Sequence, residues 1–193
     1  HAAKEGHLEV VKWLRSEGCP WSESTFQFAV DGGNMEVLQW LRENGCPWSE
    51  QCCYKAAENG NLEGLKWLHE NNCPWDGLTI FSCAADSGNL KMLKWLHKNG
   101  YHGQDAQSGG KMEPQHITDQ DLGEVGYGVA GIYAAINGDL EVLKWLHSHG
   151  YPINKMACRY AAVSGHLDVL KWIHSEEVCS LDGLHECAID GGH

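Results

Sequence analysis

The chain has 193 residues, with 14 Lys and Arg against 26 Asp and Glu, a formal net charge of -12 and a pI near 5.3. That balance argues against a nucleic-acid partner, whose affinity is mostly cationic neutralisation of phosphates, and favours a basic or neutral one. No apolar run approaches the roughly 20 residues needed to cross a bilayer, and no charged-then-apolar leader opens the chain, so no membrane insertion is expected.

In chain order, the first element is the unit that the rest repeats. GHLEVVKWLRSEGCPW, from Gly6 to Trp21, returns as GNMEVLQWLRENGCPW from Gly33 and as GNLEGLKWLHENNCPW from Gly60. Looser copies start at Gly88, Gly138 and Gly165, and Gly192-His193 looks like the start of another. The leading glycines are 27, 27, 28, 50, 27 and 27 residues apart, a period that stacked repeats produce. A stack grows by addition, so a single array over 1–193 is expected. The chain opens and stops inside a copy, with no polar capping copy at either end, which reads as a fragment.

Positions are counted from each leading Gly. In the first copy Leu8, Val10, Val11, Trp13 and Leu14 place apolar residues at +2, +4, +5, +7 and +8, while Glu9, Lys12 and Ser16 hold +3, +6 and +10. At 100° per residue the polar set falls within about 60°, so the segment is predicted to be a helix covered on several sides. Its stop lies at +12, where Gly18, Gly45, Asn72, Gly100 and Gly150 tolerate the left-handed conformation of a helix end. Pro20, Pro47, Pro74 and Pro152 follow two residues on and prevent continuation. A second, shorter helix is predicted before each leading Gly. Ala recurs there at -4 in every copy, from Ala2 and Ala29 to Ala161 and Ala188, which lets paired helices approach closely. Polar or Gly pairs such as Asp31-Gly32 and Glu58-Asn59 suit a tight interhelical turn.

The run Ala-Ala-Lys-Glu-Gly-His-Leu-Glu-Val-Val-Lys-Trp-Leu, from Ala2 to Leu14, resembles the ankyrin repeat core A-A-x-x-G-H-x-E-V-V-K-L-L. The resemblance covers all but about 103–126 and implies an all-α, ankyrin-like solenoid of stacked helix-turn-helix units, used as a protein-binding scaffold and not for chemistry. Two departures stand out. The unit is about six residues shorter than the usual 33, which implies projecting fingers cut down to tight loops. The T-P-L-H entry is degraded to Ser24-Thr25-Phe26-Gln27, Gln51-Cys52-Cys53-Tyr54 and Thr79-Ile80-Phe81-Ser82. With its Cys-Pro-Trp tails the chain resembles the short, Trp-rich ankyrin variant of expanded families in algae, oomycetes, amoebae and large DNA viruses.

The one break in register follows Tyr101. Residues 103–126 are polar, rich in Gly, Asp and Gln, and read as an inserted surface loop. The copies on its two sides are still expected to stack, because loop closure adds little entropy cost.

The +7 tryptophans (Trp13, Trp40, Trp67, Trp95, Trp145 and Trp172) fall in the apolar register and are expected to pack between copies. The tail tryptophans Trp21, Trp48 and Trp75 lie where a finger base would be, either packing over helix ends or joining a partner surface. Position +9 carries Arg15, Arg42, His69, His97, His147 and His174. Four histidines in column suggest a metal ladder, but stacked equivalents lie on the order of 10 Å apart and zinc needs ligands about 2 Å from one centre. They are expected instead as semi-buried, hydrogen-bonded seam residues, with no metal and no cofactor. The same spacing keeps Cys19, Cys46 and Cys73 from pairing, so these are expected as buried thiols in a reducing, intracellular and cytoplasmic setting. Glu9 with Lys12, Glu63 with Lys66 and Glu141 with Lys144 read as exposed helix pairs.

Enzyme motifs do not occur. Gly109-Gly110-Lys111-Met112 lacks the first Gly and the Ser or Thr of a phosphate loop, and His69-Glu70-Asn71-Asn72-Cys73 lacks the second His of a zinc protease helix. The expected role is therefore non-catalytic: a protein partner held on the concave face and the inserted loop, through Trp21, Trp48, Trp75, Tyr101, Lys111, Met112, His116, Asp119 and Asp121. Two other readings stay open, a structural subunit of a large complex and a substrate-recruiting module of a larger enzyme or ubiquitin-ligase adaptor.

Overall fold

A computed structural model describes residues 1–101 and 128–178 of the chain. The inserted segment 103–126 and the last partial copy, with Ala188 and Gly192-His193, lie outside the described residues. Among those described are eleven α-helices of nine or ten residues and no strand. They are α1 (Leu8–Ser16), α2 (Glu23–Gly32), α3 (Met35–Glu43), α4 (Glu50–Glu58), α5 (Leu62–Glu70), α6 (Gly77–Asp86), α7 (Leu90–Lys98), α8 (Val129–Asn137), α9 (Leu140–Ser148), α10 (Lys155–Val163) and α11 (Leu167–Ser175). Five described copies are thus a first helix ending just before the leading Gly and a second helix starting after it, while in the copy at Gly6 residues 2–6 form turns and only the second helix, α1, is helical. The all-α expectation holds.

Both helices of a copy close in the same way. At +12 the backbone is left-handed in every described copy, through Gly18, Gly45, Asn72, Gly100, Gly150 and Glu177. The +13 N–H then reaches back to the +8 carbonyl, as in Cys46 to Leu41 (2.9 Å), Tyr101 to Leu96 (3.0 Å) and Val178 to Ile173 (3.1 Å). The +12 N–H bonds the +9 carbonyl, completing the two-bond closure that satisfies orphan carbonyls at a helix end. The leading Gly repeats the device for the first helix, with φ from 64° to 76° across the six described copies. There the +1 N–H bonds the -4 carbonyl, as in Asn61 to Ala56 at 2.8 Å.

The +1 residue carries three duties. Its N–H donates that closing bond in every described copy but the one at Gly33, and its side chain opens the second helix where it is Asn: the side chains of Asn34, Asn61 and Asn89 accept the N–H groups of Val37, Gly64 and Met92 at 3.1, 2.8 and 3.0 Å. It also lies over the leading Gly of the preceding copy. A Cβ at Gly6 would collide with the Asn34 amide, and one at Gly138 with the His166 ring. The leading Gly is therefore required twice over, by its backbone angle and by its neighbour.

The chain divides into two compact units, His1–Asp76 and Gly77–His193. In the first, α2 packs on α3 and α4, α4 on α5, and α1 on α3. In the second, α6 packs on α7 and α8, α8 on α9 and α10, and α10 on α11. The contact of α6 with α8 spans the insertion, so the copies on its two sides do stack. Each core is one face per helix: Ala29, Ala56, Ala84, Ala134 and Ala161 are fully buried at -4, as are Leu41, Leu68, Leu96, Leu146 and Ile173 at +8. Burying such a leucine contributes on the order of 1.5–3 kcal/mol.

The first copy corrects two expectations. Trp13 is 60 % exposed where its equivalents are half-buried, and Cys19 is exposed where Cys46 and Cys73 are buried. The buried Cys46 and Cys73 Sγ atoms donate to the carbonyls of Ser22 and Ser49, 3.7 and 3.4 Å away at the start of the first helix of the same copy.

Because no atom lies within 4 Å of a Cβ built at Gly45, Gly45→Ala costs only backbone strain, about 1 kcal/mol in urea unfolding. Glu177→Gly, at the same repeat position, moves stability the other way by up to about 1 kcal/mol.

Candidate interaction surface

The repeats sort positions into two classes. On the second helices the solvent side is charged and varies less, with Glu at +3 and Lys at +6 in three copies forming Glu9–Lys12, Glu63–Lys66 and Glu141–Lys144 pairs at 2.7, 2.8 and 3.6 Å, while Gln39 stands at +6 and Lys91 at +3 in two others. Exposed pairs of this kind contribute about 0–1 kcal/mol each and distinguish nothing. On the first helices the outward rows at -9, -6, -5 and -2 share one side of the helix and differ from copy to copy. At -5 stand Phe28, Lys55, Cys83, Tyr133 and Tyr160. At -2 stand Asp31, Glu58, Asp86, Ile136 and Val163. Phe28 is 52 % exposed and Tyr160 38 %, so these are accessible rows and not core.

Polar contacts tie neighbouring first helices along one edge of these rows. Asp31 pairs with Lys4 and accepts from Asn59 Nδ2 at 2.7 Å. In the other unit Asn137 Nδ2 donates to the Asp86 carbonyl at 2.6 Å, the same contact one register on. The Lys4 ammonium, followed by the Asn59 amide, holds the Asp31 carboxyl below its ordinary 3.8. Burial pushes the Asp139 carboxyl up, partly opposed by the nearby His166.

The tail aromatics are held from above by the +9 column. The Arg15 guanidinium lies 4.0 Å from the Trp21 ring centroid and Arg42 lies 4.1 Å from Trp48, while His69 stacks on Trp75 at 4.5 Å. From the side, Trp21 meets Trp40 at 5.8 Å, and Trp48 meets Phe26 and Trp67 at 5.2 and 6.1 Å. Trp21, Trp48 and Trp75 are half-buried by these contacts, so of the two readings left open packing accounts for most of their surface. The +9 expectation is met at two histidines. His97 Nδ1 lies 2.8 Å from the hydroxyl of Tyr151, a phenol whose burial pushes its pKa up, and His69 is half-buried on Trp75. His147 and His174 are exposed, as are Arg15 and Arg42, which corrects the seam reading for those copies. At the side chain a +9 residue points past the edge of the helix stack, and only a tail aromatic or the next copy's Tyr covers it.

Beside Trp21 is a cleft of about 350 Å³ lined by Ala3, Val11, Arg15, Cys19 and Phe28 among others. In the next copy the equivalent place, against Trp48, is filled by Phe26. Tyr101 is half-buried, its ring 3.0 Å from where a Cβ on Gly77 would lie. Lys111, Met112, His116, Asp119 and Asp121 lie outside the described residues. Among the described cysteines Cys19, Cys46, Cys52, Cys53, Cys73 and Cys83 form no disulfide and Cys158 is disulfide-bonded. Burial pushes the Cys46 and Cys52 thiols up to about 11, and burial with a hydrogen bond to Cys73 raises Cys53 further, so these are not nucleophiles at neutral pH. Among the described residues no group of three His, Cys, Asp or Glu could hold a metal, and no helix is long and apolar enough to cross a membrane. The +1 column went unread because Asn, Asp and His alternate in it; its constant distance from the leading Gly was the available signal.

The Asp31 geometry has a pH consequence. A carboxyl whose folded pKa lies below its unfolded value stabilises the fold above pH of about 4 and loses that contribution as pH falls through the folded value. Asp31→Asn therefore lowers stability at pH 6 and converges on the parent chain near pH 2, in urea titrations across that range.

Comparison with known proteins follows the same geometry. A family model described as ankyrin repeats (3 copies) matches residues 1–108, and another described as ankyrin repeats (many copies) matches 132–174. None of the curated proteins matches the chain. Among solved structures, the human ASB11 ankyrin repeat domain is similar at a TM-score of 0.55 and 15 % identity, covering 87 % of this chain and 83 % of that one, a likeness of fold.

Proposed function

The chain belongs to the ankyrin repeat family, and from that premise we propose a non-catalytic scaffold that holds a protein partner on the outward rows of its first helices. Ankyrin repeats are in general protein-protein interaction modules. One observation carries the reading: the five described first helices keep the buried Ala at -4 constant, yet their accessible -5 row changes from Phe28 to Lys55, Cys83, Tyr133 and Tyr160. Packing cannot require that variation, because these side chains leave the core unchanged. A surface that reads one partner along its length needs it.

The segment 103–126 is proposed to add contacts beside Tyr101, through Lys111, Met112, His116, Asp119 and Asp121, with the half-exposed edges of Trp21, Trp48 and Trp75 as a lesser rim. The 27-residue period and Cys-Pro-Trp tails support placing the chain with the short, Trp-rich ankyrin variant, and the common register on both sides of the insertion supports a single array over 1–193. An intracellular, cytoplasmic setting is the accompanying proposal. The buried free thiols of Cys46, Cys52, Cys53 and Cys73 support it, and the disulfide at Cys158 stands against it. A second reading, a subunit built into a larger assembly, draws on the exposed apolar side chains Val10, Trp13 and Leu167 of the second helices.

Affinity capture from the native source followed by mass spectrometry tests the first reading. A protein retained by the parent chain and by Lys94→Ala/Lys144→Ala on the second-helix side is expected to be lost with Lys55→Ala/Tyr133→Ala on the variable side. Loss with the second-helix variant instead, or equal retention by both, contradicts it.

A further inference from the structure

Within the unit Gly77–His193 the variable rows change character. On α8 they present Val129, Ile132, Tyr133 and Ile136, all half-buried, and on α10 Met156, Tyr160 and Val163, which are 40 %, 38 % and 38 % exposed. Their counterparts in the unit His1–Asp76 are mostly polar, among them Ser24, Gln27, Gln51, Lys55 and Glu58. The apolar residues are spaced i, i+4, i+7 along each helix, Val129–Tyr133–Ile136 and Met156–Tyr160–Val163, so each forms a ridge about 10 Å long at 1.5 Å per residue. Because α8 and α10 are packed side by side, the two ridges flank a shallow apolar groove.

Charge settles which kind of segment fits. Lys155 and Arg159 are exposed at i and i+4 on the ridge of α10 next to Met156 and Tyr160. Neither makes an ion pair among the described residues, although the chain carries a net charge of -12. We infer that the α8/α10 groove accepts an amphipathic helix of a partner, with apolar residues at i, i+4 and i+7 in the groove and carboxylates along the flank that meets Lys155 and Arg159. The groove supplies the affinity, since apolar burial scales with area and exposed ion pairs add little. The two cations set the orientation and reject basic helices. This assignment rests on the scaffold reading above and names the class of partner for one part of that surface.

Fluorescence anisotropy on the whole chain tests it, using labelled alanine-based helical peptides of about 18 residues, long enough to hold a helix in part. All carry leucines at the i, i+4, i+7 spacing, with either Glu or Lys on the flank. The Glu peptide is expected to bind at least about fivefold more tightly than the Lys peptide. Lys155→Glu/Arg159→Glu is expected to reverse that order, Tyr160→Ser to weaken both peptides at least about fivefold, and Lys94→Glu on α7 to change neither. All these side chains are exposed, and circular dichroism with thermal melting confirms that each variant keeps its helices. Equal binding of the two peptides, absence of binding, or indifference to the Lys155 and Arg159 reversal overturns the assignment. So does a dimer of the free chain, seen by sedimentation, that Tyr160→Ser abolishes, because the groove then belongs to a second copy. A captured native partner that depends on Tyr133 while neither peptide binds leaves the scaffold reading standing and removes this one alone.

Discussion

Two residues per copy, the leading Gly and the one twelve positions later, are held in the left-handed region, and the fold of each unit follows from that constraint. They cap every helix at nine or ten residues, a length at which an isolated helix in water is marginal. Stability must then come from side-by-side burial, and the residues that allow it are small: the -4 alanines bring first helices into contact and the leading Gly leaves room for the +1 side chain of the next copy. The same residue ends one helix and starts the next, since at Asn61 and Asn89 the N–H donates the closing bond and the side chain caps the second helix. Punctuation and stacking are one device.

The two units meet the demand at the helix ends with different chemistry. In His1–Asp76 the +13 thiol donates back to a Ser carbonyl, and a tail Trp is clamped between its own +9 side chain and the next copy's Trp. In Gly77–His193 the Cys becomes Tyr101 and Tyr151, and Val178 in the last described copy. Tyr151 reaches the His97 ring through its hydroxyl and stacks on Phe81 at 5.0 Å, taking the place of both thiol and Trp. Such exchanges cover the helix ends while leaving the accessible rows of the first helices unconstrained. Polar Asp31 and Asp86 anchor one edge of those rows, and from α8 onward the rows turn apolar except at Arg159.

Periodicity made the helices legible, because apolar residues at +4, +5 and +8 repeat in register and a Gly or Asn marks +12 in five copies. Glu177 was not legible as a helix end: its left-handed φ of 52° is imposed by the closing bonds, against its own preference. The +9 column misled for a related reason. Its angle around the helix suggests burial, yet burial there depends on what the tail supplies, Trp75 for His69 and no comparable cover for His174. In the first copy the register alone did not give burial, since Trp13 and Cys19 are exposed where their equivalents are covered. Of the expected surface residues, Trp21, Trp48 and Trp75 are half-buried against their own +9 side chains, while the variable rows on α8 and α10 carry no motif and emerge only when copies are compared position by position.

The central claim is that stacking columns carry stability and the outward rows do not, even where those rows are aromatic. Urea unfolding of Leu38→Ala against Phe28→Ala tests it within one copy. Leu38 is fully buried and Phe28 is 52 % exposed. The account predicts a loss of about 3 kcal/mol for Leu38→Ala and no more than about 1 kcal/mol for Phe28→Ala, although the latter removes the larger side chain. Equal losses, or the larger one at Phe28, would contradict it.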